Sequence, residues 1–102
     1  MKVIDPEIMK AVKQSLALLS KVAPGRAIEV RVPPYAAIQC GSGPTHTRGT
    51  PPNTIEMAAP IWLALASGTQ TWEQAMASGE IRASGSRADL SAWLPLENRI
   101  SQ

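Results

Sequence analysis

Apolar positions along the chain change their spacing twice, and each change marks a change of element. From Asp5 to Ala23 the spacing is helical. Ile8, Val12, Leu16, Leu19 and Ala23 fall on one face at about 100° per residue, with Lys10, Lys13 and Lys21 opposite. Asp5 supplies an oxygen for the free N–H groups of the first turn, Pro6 suits the first helical position, and Glu7 complements the positive end of the dipole. Pro24-Gly25 ends the helix. Its lysine face reads as a solvated surface; contact with an anionic membrane is the sharper alternative. From Ala27 to Val32 the spacing drops to two. Ile28, Val30 and Val32 alternate with Glu29 and Arg31, which predicts a strand with one wet face. Pro33-Pro34 stops it. Tyr35 to Cys40 predicts a second strand, with Ile38 and Cys40 on one face, and Gly41-Ser42-Gly43-Pro44 a tight connection. Thr45 to Gly49 reads as a third short strand and Thr54 to Met57, centred on Ile55, as a fourth.

At Pro60 the helical spacing returns. Pro60 to Ser67 starts on proline and stops at Gly68. Thr71, with Gln74 three residues on, forms a capping box for a second short helix carrying Trp72, Ala75 and Met76 and ended by Gly79. Glu80 to Ser84 alternates as a fifth strand. Ser86 and Asp89 open a last helix through Leu90 and Trp93, stopped before Pro95. Strands grouped first and helices later predict an α+β fold, with helices on one side of a mostly antiparallel sheet that starts as a meander.

A chain of 102 residues makes one domain, 1–102, with one core. Charge narrows the partners. The net +2 is spread as +3 up to Arg31 and −1 beyond it, Phe is absent and aromatics are 4%, so no nucleic-acid surface is expected. A single cysteine, Cys40, precludes an internal disulfide and fits a reducing compartment. Together with the single histidine, His46, it makes a closed zinc site within one chain untenable, and no metal is expected. The first residues, Met1-Lys2-Val3-Ile4-Asp5-Pro6-Glu7, do not look like a signal peptide, and no apolar stretch is long enough to form a transmembrane segment. A cytoplasmic location is the expectation.

Few motifs carry chemistry. Gly41-Ser42-Gly43 has the first two glycines of a dinucleotide fingerprint but lacks the third, and neither a nucleophile elbow nor a phosphate loop occurs, so no cofactor is expected. Cys40 and His46 flank a hairpin connection, as a thiolate–imidazole pair would in part. The simpler reading makes Cys40 a small core residue. The segment from Pro44 to Asn53 sets His46 and Arg48 between prolines. Either Arg48 forms an anion-recognising rim, or it is held by Glu56 or a carbonyl to fix the loop. Trp62, Trp72, Met76 and Trp93 are the bulky apolar residues of the second half. Around them stand fifteen alanines, which allow either close packing or a groove between splayed helices.

Three stretches resemble the bacterial sterol-carrier-protein orthologue family: Glu29-Val30-Arg31-Val32-Pro33-Pro34-Tyr35, Gln39-Cys40, and His46-Thr47-Arg48-Gly49-Thr50-Pro51-Pro52-Asn53. The second half, Trp62 to Gly68 and Ala83 to Leu90, is similar to the wider sterol carrier protein-2 superfamily. The resemblance implies a five-stranded sheet, helices over one face, and an apolar tunnel that binds fatty acyl or sterol-like lipids without catalysis. Its expected lining is Ile38, Ile55, Trp62, Leu65, Met76, Leu90 and Trp93, with Arg48 and His46 at the polar end. A related domain forms the C-terminal lobe of mycothiol-dependent maleylpyruvate isomerases. The alternative is therefore an accessory domain or subunit of a small-molecule enzyme, with Arg48 holding an anionic group. A third reading is a homodimer that uses Trp62 or Trp93 at its face.

Overall fold

The computed structural model describes residues 4–43 and 53–96. Helix α1 runs Pro6–Val22, as its spacing predicts. Asp5 caps it by accepting from the N–H groups of Glu7 (2.9 Å) and Ile8 (3.3 Å). Strands β1 (Ile28–Val32) and β2 (Ala36–Cys40) form the expected antiparallel pair. Then come β3 (Asn53–Glu56), α2 (Ala59–Ser67), α3 (Trp72–Ala77) and β4 (Arg82–Ser84). The Thr71–Gln74 capping box closes in both directions, at 3.1 and 2.9 Å.

The sheet differs from expectation. Among the described residues it has four strands in the order β2-β1-β3-β4, and it is mixed rather than five-stranded and antiparallel. The cause is where β3 enters. Cys40 at the end of β2 and Asn53 at the start of β3 both pair with Ile28, on opposite sides of β1, so β3 runs parallel to β1. The meander therefore ends after two strands. The third strand expected at Thr45–Gly49 lies outside the described residues, as do His46 and Arg48.

The last helix is also corrected. Residues 91–93 form a turn. The Trp93 N–H reaches back to the Leu90 carbonyl (3.0 Å), and Asp89 Oδ1 accepts from the Ser91 N–H (2.8 Å). Pro95 has no N–H to continue the helix and disfavours helical backbone at Leu94 before it, so the turn is not extended. The segment returns to α2 instead, where the Leu96 N–H meets the Ala66 carbonyl at 2.9 Å.

Alternation decides which sheet face is covered. Ile38, Val30, Ile55 and Ala83 stand in one row across the four strands, on the face that α1 and α2 help to close. Val12, Leu16 and Leu19 of α1 meet Val30 and Ile55 of the sheet and Trp62 and Leu65 of α2 in one buried cluster. Glu29, Arg31, Thr54 and Glu56 take the other face, where Arg31 Nη2 pairs with Glu29 Oε1 at 3.1 Å. Among the described residues one polar side chain, Asn53, is fully inside. Asn53 Nδ2 donates to the Ala27 carbonyl (2.9 Å), and its Oδ1 accepts from the Arg87 N–H (2.8 Å). It thereby ties the entry to β1, the start of β3 and the turn after β4 together, and satisfies groups that burial would otherwise leave unpaired.

Candidate functional site

An apolar groove of about 270 Å³ lies between α1 and α2. On α1 it is bordered by Ala11, Gln14, Ser15 and Leu18, spaced i, i+3, i+4 and i+7, so it follows the helix for two turns, roughly 10 Å. On α2 it is bordered by Leu63, Ala66 and Ser67, and Leu96 closes one side. Its shape comes from side-chain size. Ala11, Ser15, Ala66 and Ser67 are too short to fill the gap, and Gln14, Leu18 and Leu63 complete its lining.

Ser15 has a second task. Trp62 is fully buried, and its indole Nε1–H donates to Ser15 Oγ at 2.7 Å. The Ser15 hydroxyl donates in turn to the Ala11 carbonyl, also at 2.7 Å. The relay satisfies the indole N–H without a polar group inside the core and holds Ser15 at the groove's edge.

The residues expected to line a tunnel are not gathered around one opening. Ile55, Trp62 and Leu90 have no accessible surface and Leu65 has 1%, so no water-sized space touches the first three. Ile38 is half-buried against this core, and Met76 on α3 is 41% exposed. Trp93 is half-buried and lines a separate cleft. His46 and Arg48 lie outside the described residues. Trp62, having no exposed surface, is also unsuited to a dimer face. Spacing along α1 distinguishes an apolar face from a lysine face and gives no signal for the groove, which takes Ala11, Ser15 and Leu18 from the flank between them. A signal was present in α2, whose apolar residues occupy every side of the helix, more than one buried face requires.

Cys40 is fully buried, and that burial pushes its thiol pKa up to about 11. At neutral pH it is a packed, protonated thiol and not a nucleophile. Among the described residues no three His, Cys, Asp or Glu side chains cluster to hold a metal ion, and no helix is long and apolar enough to cross a membrane.

Residues 6–96 match the family model described as bacterial SCP ortholog. The chain belongs to that family. No curated protein matches it. For this SCP orthologue the family supports the α+β class and suggests a lipid or sterol carrier module.

Proposed function

We propose that this SCP orthologue is a non-catalytic binding module for an apolar ligand and takes a slim acyl-like chain into the α1–α2 groove. The observation that carries this is the groove's lining, two turns of α1 with small side chains facing α2 and leucines at the edges. Its volume, about 270 Å³, lies just below the roughly 300–1,000 Å³ of sites for drug-sized ligands, which favours a single chain over a four-ring sterol. Burial gives about 0.8 kcal/mol per methylene, so about ten methylenes are needed for micromolar affinity before ordering costs are subtracted.

The test is a fluorescence titration of the delipidated chain with dansyl-undecanoic acid. Saturable binding at micromolar probe is expected, and at least tenfold weaker binding by Ala11→Leu, which fills the groove from the α1 side. A titration that rises linearly without saturating, or an Ala11→Leu protein that melts and binds like the parent, overturns the reading.

A further inference from the structure

A second cleft, of about 330 Å³, opens between Gly41-Ser42 and the segment 87–93. We propose that it binds a small monocarboxylate with a flat apolar body. This does not rest on the acyl-chain reading, because the two sites share no lining residue.

Backbone rather than side chains forms one wall. A Cβ on Gly43 would come within 2.6 Å of Arg87 Nη1, and one on Gly41 would sit 3.1 Å from Ile28 Cδ1 and 3.8 Å from the Trp93 ring. Both glycines have positive φ, 78° at Gly41 and 147° at Gly43, which side-chain-bearing residues rarely adopt. The bare turn therefore lets the Arg87 guanidinium lie directly against the chain.

Arg87 is fixed at both ends. Its backbone N–H is bonded to the buried Asn53, and its Nη1 donates to the Ser42 carbonyl at 3.2 Å. The other N–H groups of its guanidinium have no partner among the described residues. A planar fork held in place with donors to spare matches a carboxylate in geometry and charge, and loses little freedom on binding. Trp93 and Ile28 supply apolar surface in the same cleft for the rest of the ligand.

Asp89 selects the charge of the ligand. It lines the cleft with Arg87, and its Oδ1 accepts from the Ser91 N–H. The Asp89 carboxylate repels a doubly charged ligand more strongly than a singly charged one, so a monocarboxylate is favoured over the phosphate dianion.

The experiment titrates the full-length ¹⁵N-labelled chain with benzoate, with neutral benzamide and with inorganic phosphate, followed by amide and indole resonances. Benzoate is expected to shift the Gly41, Ser42 and Arg87 amides and the Trp93 indole N–H saturably, with benzamide and phosphate each at least tenfold weaker. Arg87→Gln, which keeps the backbone bond to Asn53, is expected to weaken benzoate at least tenfold at an unchanged Tm. Ala11→Leu is expected to leave benzoate binding alone, so failure here is distinct from failure of the acyl-chain reading. Equal binding of benzamide and benzoate overturns the proposal. So do undiminished binding by folded Arg87→Gln and shifts confined to Leu18 and Leu63. If Arg87→Gln does not fold, the benzoate–benzamide contrast on the parent chain decides.

Discussion

The two sides of α2 are built from the same kind of residue and do opposite things. On one side Trp62 and Leu65 reach into the core and leave no space. On the other, Leu63 and Ser67 border an open groove that also touches the buried Ala66. Hydrophobicity does not separate the two sides; what stands opposite does, since across the groove α1 presents the short side chains of Ala11 and Ser15. A side chain large enough to look like the lining of a tunnel is also large enough to fill it, and close packing makes it do so. Space persists where short side chains on two helices face each other.

The contrast is broken most severely by Trp62→Ala. Removing a fully buried indole is expected to lower stability by about 3–5 kcal/mol, since transfer and cavity costs add. Thermal and urea unfolding would measure it. A loss under about 1 kcal/mol would mean that the core side of α2 is as loosely filled as the groove side. Ser15→Ala comes next. It leaves the Trp62 Nε1–H buried without its acceptor, which costs about 1–3 kcal/mol although the residue itself is small and borders the groove. Since the two residues form one bonded pair, the double variant is expected to cost less than the sum of the singles. Strict additivity would show that the bond contributes nothing.

Local signals were legible where local chemistry decided the outcome. The Asp5 cap, Pro6, the alternation around Val30 and the Thr71–Gln74 box each fixed an element close to its observed bounds. The first two strands were readable as a hairpin because Pro33-Pro34 separates two alternating runs. What the sequence did not show was strand order. Whether β3 pairs with β2 or β1 depends on which side of Ile28 the chain returns to, and β3's own alternation is the same either way. Asn53 gives no local signal of its burial, which depends on Ala27 and Arg87, 26 and 34 residues away. The last helix is shorter than its spacing predicts, because Pro95 confines the run of Leu90 and Trp93 to one turn. Of the candidate site, apolar character was legible and position was not, since Ala11, Ser15 and Ala66 matter by what they leave empty.

The smallest stability effect belongs to the substitution that most sharpens the contrast. Leu63 lies one position from Trp62 on α2, yet it is half-buried at the groove's edge. Leu63→Ala removes apolar area that is already partly wet and leaves no closed cavity, so a loss of about 1 kcal/mol or less is expected. The same change removes a wall from the groove, and a fall of about tenfold in dansyl-undecanoic acid affinity should accompany it. Leu65→Ala is the matched control, because it deletes the same atoms from the buried side and should cost about 2–5 kcal/mol. If Leu63→Ala and Leu65→Ala destabilise equally, the two sides of α2 are equivalent and the groove is only a crease in the core. If Leu63→Ala barely moves the melt yet weakens the probe, small-residue spacing between α1 and α2 is what creates the binding space.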